Sequence, residues 1–451
     1  MSDGVFNLME KEDLTTLEIF YNQRENKFLM RGIKEWDDNV RWDRYMADFT
    51  PEDILTDNYK AVGTATLFAT FSELGLKEYL EQIKQLLREG KHHGIEFYYH
   101  RKRNIRVMYC KHVNTLGIRN RRHAMRSGGI RRHGLDEPEL DVLIDGLNLA
   151  RAMAYKNAIA KIPYGGCKTV VQCDAVKLDD FETMGFLSYI IYRIRTFTGP
   201  DMGFVAEMAD IMREKFTKAI TGGNKSPMGP TGGPTAYGEY LAIKEACDFI
   251  YGSKDLSKRR IAVQGLGEVG YPLAEYLLND SAPLIVTDID LSKVRKLQQE
   301  YGLDSVQYVE PEDIYTVNAD VFSPCAMGGI LTEDRISKFK FKIIMGPANN
   351  QLKATSKEAE IELAKKIDDA GILFVIDWAH NTGGVIAGWA EWIFQEEASF
   401  DKIKPRITLV CGDNLRKLLE EAKRTGRTPT ELVYEKVEDM VYSGAEFSEA
   451  L

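Results

Sequence analysis

The chain has 451 residues, 44% of them apolar and 28% charged, with a formal net charge of −9. That composition belongs to a globular protein of more than one domain. Its acidity argues against a molecule built to hold nucleic acid or an anionic membrane. No apolar run approaches bilayer length, and the opening MSDGVFNLMEKEDL lacks the basic-then-apolar layout of a secretory leader. The six cysteines include no CxxC pair, and the seven histidines show no ligand spacing. Reduced thiols, a cytoplasmic location and no structural metal are therefore expected.

In chain order, residues 1–30 read as a short helix and strand. The stretch WDDNVRWDRYMADF brings two tryptophans, suited to a large buried interface or ligand surface. KEYLEQIKQLLREG (77–90) has apolar residues at helical spacing and stops at Gly90, a C-cap residue. GIEFYYHRKRNIRVMYCKH alternates as strands do. Residues 138–161, PELDVLIDGLNLARAMAYKNAIAK, form a helix with Pro138 in its first turn. GGNKSPMGPTGGP (222–234) is dense in glycine and proline and reads as a linker, followed by the helix TAYGEYLAIKEACDFIYG. Beyond it strands and helices alternate.

That last region carries a specific motif. The apolar strand IAVQ leads into Gly265-Leu266-Gly267-Glu268-Val269-Gly270; a helix follows, then the strand LIVT and Asp288, eighteen positions past the last glycine. Strand, glycine loop, helix and distant acid together form the fingerprint of a dinucleotide-binding Rossmann unit. Gly265 permits the tight turn, Gly267 lets backbone approach the pyrophosphate, and Gly270 lets helix and strand pack closely. The helix start, with Glu268 and Val269, offers N–H groups to phosphate. Asp288 would accept from the ribose hydroxyls and repel a 2′-phosphate, favouring NAD over NADP. The plainer reading is a glycine-rich turn in a cofactor-free α/β domain.

A second candidate lies earlier. In IPYGGCK, Lys168 follows two glycines and a cysteine, and Lys156 in AMAYKNA stands twelve residues before it. Two lysines converging on one cleft depress each other's pKa, so one can hold a carboxylate while the other serves as a base. Gly165 and Gly166 would leave room for a small substrate. The alternative is a pair of surface lysines.

With these residues in place, the chain resembles the glutamate/leucine/phenylalanine/valine dehydrogenases, most closely the leucine and phenylalanine branch. SGGIR (127–131) is similar to the family's Gly-Gly-x-Arg segment, and LARAMAYKNAIAKIPYGGCKTVV to the stretch carrying both family lysines. TGPDMGF, PTAYGEY, FSPCAMGGIL, GPANNQL and DWAHNTGGVI follow in the family's order, over most of residues 110–390. The resemblance implies Lys168 as the base that activates water and Asp201 as the proton carrier for the amino group. It implies Lys156 on the substrate α-carboxylate, with Gly129, Ser127 and Asn381 also at the substrate. Thr235, Ala326 and Asn349 would join the fingerprint residues at the cofactor.

Two departures stand out. The family's leucine-type enzymes carry a third glycine where this chain has Cys167, a candidate reactive thiol or a buried inert one. Before the Gly-Gly pair, a lysine would read glutamate's side-chain carboxylate and a leucine would serve an apolar side chain; here the residue is Ser127. Around it lie Arg119, Arg121, Arg122, Arg126, Arg131 and Arg132. They read as a solvated or subunit-contact loop, as arginines reaching an anionic substrate, or as phosphate contacts to RNA. His380, before Asn381, reads equally as a packed histidine or a substrate contact.

The expected fold is α/β in two domains with a cleft between them. A substrate domain with a mixed sheet takes residues 1–228, with an insertion at 32–108. A Rossmann domain takes 229–386, and C-terminal helices at 387–451 return to the substrate domain. The expected function is reversible NAD-dependent oxidative deamination of an apolar or aromatic L-amino acid to a 2-oxo acid and ammonia, by a homo-oligomer with no nucleic-acid or membrane partner. The rivals are the same reaction on an acidic amino acid such as glutamate, and a catalytically idle nucleotide-binding regulator.

Overall fold

The computed structural model describes residues 4–44, 54–114, 116 and 125–443. Arg119, Arg121 and Arg122 of the basic cluster lie outside the described residues. Contacts divide the chain into two compact units whose main boundary falls between Gly229 and Pro230, inside the glycine- and proline-rich linker.

The first unit is built on an eight-stranded mixed sheet. Its strands are β1 (Thr16–Asn22), β2 (Lys27–Lys34), β3 (Lys60–Gly63), β4 (Gly94–His100), β5 (Ile105–Lys111), β6 (Arg126–His133), β7 (Gly165–Gln172) and β8 (Phe197–Pro200). Their order is β3-β2-β1-β4-β5-β7-β6-β8. β1 to β5 and the β5–β7 pair run antiparallel, whereas β6 pairs parallel with both β7 and β8. A parallel neighbour needs a crossover, and the helix Glu139–Ile159 supplies it between β6 and β7. Apolar clusters cover both sheet faces. One joins helices Val5–Lys11, Lys77–Glu89 and Glu139–Ile159, and the other joins helices Phe181–Ile194 and Ala206–Lys215.

Two expectations change here. Of the expected insertion at 32–108, residues 94–100 and 105–108 belong to β4 and β5, which lie between β1 and β7 in the middle of the sheet. Trp36 and Trp42 are 2% and 1% exposed and pack edge-on against each other and against Phe186. They fill the core, where large rings contribute most apolar area, and offer no interface.

The second unit carries an all-parallel six-stranded sheet of β9 (Ile261–Gln264), β10 (Leu284–Thr287), β11 (Val306–Tyr308), β12 (Val321–Pro324), β13 (Ile343–Ile344) and β14 (Leu373–Phe374). The order β11-β10-β9-β12-β13-β14 is the 3-2-1-4-5-6 pattern of a Rossmann sheet, whose switch point lies beside the first strand. Near-continuous apolar strands such as LIVT suit a sheet buried on both faces.

The helices after Thr382 belong to this unit as far as residue 443, which corrects the expectation of a tail returning to the substrate domain. They are drawn to the helix Gly232–Tyr251. Cys411 packs where a Cβ on Gly238 would stand, 2.9 Å from its Sγ. Phe400 meets Tyr237 edge-on at 5.3 Å, and Arg416 bonds Asp248 at 2.6 Å. Among the described residues no helix is long and apolar enough to cross a membrane.

Candidate active site

The site in the first unit follows from strand periodicity. Successive side chains alternate faces, so Ser127, Gly129, Arg131 and His133 share one face of β6 while Gly128 and Ile130 point the other way. The helix Glu139–Ile159 lies along that first face. Six residues of strand rise about 20 Å, and twelve residues of helix about 18 Å. Asn157 therefore meets Ser127 at one end, with Nδ2 donating to Oγ at 2.9 Å, while Asp145 meets Arg131 and His133 at the other.

Lys168 stands on β7 beside Gly129: a Cβ there would lie 3.1 Å from its Nζ and 3.4 Å from the Asp201 Cβ. Asp201 follows directly on β8, which pairs with β6 through Gly129–Gly199. Lys168 donates to Asp201 Oδ2. The same oxygen accepts from Arg131 Nε at 3.1 Å. Arg131 Nη1 reaches both Asp145 oxygens, at 3.2 and 3.1 Å. His133 bonds Asp145 at 3.2 Å and Glu137 at 2.8 Å. Lys168, Asp201 and Gly129 are thus brought together. Lys156 is buried on the helix that also carries Asp145 and Asn157.

The electrostatics follow from burial and charge. Lys168 is 5% exposed, and burial pushes its ammonium below the ordinary lysine value; Asp201 opposes that and Arg131 reinforces it. Burial alone would raise Asp201, but the Lys168 ammonium and the Arg131 guanidinium hold it well below the usual carboxylate range. Asp145 is lowered too, burial being outweighed by His133 and Arg131. Burial opposes the charge on His133, yet bonds to Asp145 and Glu137 leave it raised. A lysine whose charge burial disfavours, bonded to a carboxylate, can act as a general base coupled to a proton carrier.

One reading of the sequence is corrected, and two sets of alternatives are narrowed. Gly165 and Gly166 leave no space for a substrate. A Cβ on Gly165 would lie 1.9 Å from Asn114 O, and one on Gly166 would lie 2.1 Å from Ala150 O. The glycines admit backbone instead, and Gly166 seats the helix that carries Lys156. Cys167 faces the opposite core from Lys168, and burial pushes its thiol up, so it is an inert filler. The described arginines of the basic cluster are committed internally. Arg126 bonds Val113 O at 3.0 Å and also Asn114, Arg131 bonds the two aspartates, and Arg132 bonds Cys173 O at 3.0 Å.

In the second unit the glycine loop follows β9. Gly265 takes φ +94°, a conformation that favours glycine. A Cβ on Gly270 would lie 2.0 Å from Gly265 O, whereas one on Gly267 meets nothing within 4 Å. The open side at Gly267 is what a pyrophosphate approaching backbone requires, and the helix Gly270–Asn279 begins there with Glu268 and Val269 just ahead. Asp288 is held at the loop, accepting from Leu266 N at 2.5 Å and Asp290 N at 2.7 Å. Ala326 backs the turn, its Cβ 2.8 Å from where a Gly265 Cβ would stand. These residues fit a bound dinucleotide.

Asn381 donates to Pro347 O at 3.1 Å and Asn349 Oδ1 at 3.2 Å, while its own Oδ1 is buried with no partner among the described residues. Thr235 donates to Thr231 O at 2.8 Å, on the helix that also carries Glu239. His380 is fully buried, bonded to Glu239 at 2.9 Å and Val375 O at 3.2 Å, as a packed histidine is. Among the described residues no cluster of three or more His, Cys, Asp or Glu could hold a metal.

Sequence reasoning missed Asp145, His133 and Asn157 as members of the site. The available signal was the period-2 face shared by Ser127, Gly129, Arg131 and His133, but which helix covers it depends on the crossover.

A Rossmann sheet with its glycine loop, and a second α/β unit with a buried Lys–Asp pair, define a nicotinamide-dependent dehydrogenase. Residues 231–436 match the glutamate/leucine/phenylalanine/valine dehydrogenase family model, and residues 117–218 match the family's dimerisation domain. The chain is 35% identical over 328 residues to the leucine dehydrogenase of Thermoactinomyces intermedius, covering 71% of this chain and 83% of the relative. It is 32% identical over 360 residues to the L-tryptophan dehydrogenase of Nostoc punctiforme, covering 79% and 95%. The crystal structure of L-tryptophan dehydrogenase from Nostoc punctiforme superposes with a TM-score of 0.62 at 28% identity, covering 80% of this chain and 98% of that one. The chain belongs to the Glu/Leu/Phe/Val dehydrogenase family, and is an amino acid dehydrogenase acting on the CH–NH2 group with a nicotinamide cofactor.

Proposed function

We propose that the protein oxidatively deaminates an apolar or aromatic L-amino acid with NAD, reversibly, as a cytoplasmic homo-oligomer. The observation that carries the substrate class is Ser127. It is neutral, 1% exposed, and its hydroxyl is engaged by Asn157, so it offers no cation to a second substrate carboxylate. The internal commitment of Arg126, Arg131 and Arg132 supports the same reading, as do the leucine and tryptophan activities named for the relatives. Asp288 beside the glycine loop supports NAD, since a carboxylate there repels a 2′-phosphate. The dimerisation segment supports an oligomer, and six free thiols support a reducing compartment.

Bound nicotinamide supplies the acceptor for hydride from the substrate Cα. Lys156 holds the α-carboxylate, and Asn381 orients the substrate. Lys168 takes a proton from water as its oxygen bonds to the imino carbon. That proton passes from Lys168 through the Asp201 carboxylate to the nitrogen, and as the C–N bond breaks and ammonia leaves, Lys168 takes the hydroxyl proton so that the carbonyl forms. The catalysed gain expected of such acid–base groups is about 10²–10⁴-fold each.

The test is a panel of L-amino acids with NAD or NADP, followed by absorbance of the reduced cofactor, with 2-oxo acids and ammonium in reverse. Turnover of branched or aromatic substrates with NAD is expected. Turnover restricted to acidic substrates would overturn the substrate class. NADH binding with no turnover of any substrate would favour the regulator.

A further inference from the structure

We infer that Arg131 is a positioning residue of the reaction centre: anchored on Asp145, it fixes the Asp201 carboxylate beside Lys168 and completes a balanced cluster of two cations and two anions. The inference rests on the proposed roles of Lys168 and Asp201.

The geometry has three parts. Arg131 enters from β6, Lys168 from β7, Asp201 from the end of β8, and Asp145 from the crossover helix, so four elements converge on one cluster. Lys168 and Arg131 compete for a single oxygen, Asp201 Oδ2, through Nζ and Nε. Arg131 Nη1 is shared between both oxygens of Asp145, so Nε and Nη1 of one planar guanidinium span two carboxylates, a fork that a lysine's single nitrogen cannot reproduce. The guanidinium is thereby held rigid, and with it the carboxylate that must face the substrate nitrogen. Behind Asp145 stand His133 and Glu137, the latter at the cluster's exposed rim.

The charges make the inference specific. Lys168 faces Asp201, Arg131 and Asp145, and its burial excludes the water that would otherwise screen them. Replacing Arg131 by a neutral residue leaves two carboxylates around one ammonium, and Lys168 holds its proton more tightly. Replacing Asp145 by a neutral residue leaves two cations around one carboxylate, and Lys168 releases its proton more readily. The charges alone set these opposite signs, and the positioning role is what Arg131→Lys isolates, since it keeps the charge and loses the fork.

The experiment compares wild type with Arg131→Gln, Asp145→Asn and Arg131→Lys in the full-length enzyme. The acidic limb of kcat against pH is expected to move up by about one pH unit in Arg131→Gln and down by a similar amount in Asp145→Asn, the size usual for a neighbouring charge. Arg131→Lys should keep the limb near the wild-type position while lowering kcat about tenfold or more with little change in KM, because it restores charge without the fork. Competitive acetylation of Lys168 across pH, read by peptide mass spectrometry, measures the same titration without turnover. It therefore tests the inference even if the wild type turns over none of the amino acids tried, the outcome that would sink the proposed function instead. Limbs and labelling curves that stay put, or move in the same direction in Arg131→Gln and Asp145→Asn, would overturn the inference.

Discussion

Lys168 and Asp201, 33 residues apart in the chain, form a buried charge-assisted hydrogen bond in which burial urges the lysine to lose its proton and the carboxylate urges it to keep it. The pair exists because β7 and β8 flank β6, whose Gly129 leaves room between them.

Removing the amine while leaving the cofactor unit intact separates chemistry from binding. Lys168→Ala is expected to lower kcat by about 10²–10⁴-fold, the range for loss of a general base. NADH affinity, read by fluorescence titration, should be unchanged, because the glycine loop lies in the other unit. Substantial residual turnover would remove Lys168 from the base role.

Asp288 stands at the glycine loop, accepting from Leu266 N, and is proposed to read the cofactor ribose. In Asp288→Ala the ratio of kcat/KM for NAD over NADP should fall by about tenfold or more, as loss of one charge-assisted contact is worth about 1.5–3 kcal/mol. An unchanged ratio would mean that another group discriminates the cofactors.

Gly166 is a packing glycine. Alanine there would press its Cβ to 2.1 Å from Ala150 O and 2.2 Å from Ala154 N, both backbone atoms of the helix that carries Lys156. Overpacking of this kind costs about 1–3 kcal/mol, so Gly166→Ala should lower the Tm measurably. Gly267→Ala, with nothing within 4 Å, should leave the Tm unchanged and weaken NADH binding. Equal Tm values for Gly166→Ala and wild type would contradict the packing described.

The buried His380–Glu239 pair gives a pH-dependent stability. Burial disfavours the charged imidazole, but Glu239 outweighs that and raises His380. A raised folded-state pKa stabilises fully below the unfolded value, about 6.5, and the stabilisation is lost as pH rises through the folded-state value. His380→Gln should cost about 3–5 kcal/mol at pH 5–6, since it leaves Glu239 buried without its cation. The difference from wild type should shrink at alkaline pH. Denaturant unfolding across pH reads this; a pH-independent difference would mean that the pair is neutral.

Much of the site was readable because its signals are local. The glycine fingerprint occupies β9, the following helix and the end of β10, within about thirty residues, and each glycine answers a backbone demand visible in the motif. The IAVQ and LIVT strands occupy β9 and β10 as expected. The roles of Gly165, Gly166, Cys167 and the arginines were not readable in the same way. A glycine needed for close helix packing and one left for a ligand look alike in a sequence. An arginine bonded to a buried aspartate looks the same as one in solvent.

What the sequence by itself determined is therefore whatever one segment can specify: helix and strand periods, the glycine loop after β9, and a glycine- and proline-rich linker near the unit boundary. The tertiary structure alone decided that Arg131 stands between two aspartates, that Ser127 is tied to Asn157, that Trp36 and Trp42 are core, and that the C-terminal helices stay with the Rossmann unit. These depend on which strand lies beside which, and strand order is a property of long-range packing, where burial of apolar faces outweighs any preference a short stretch of chain can carry.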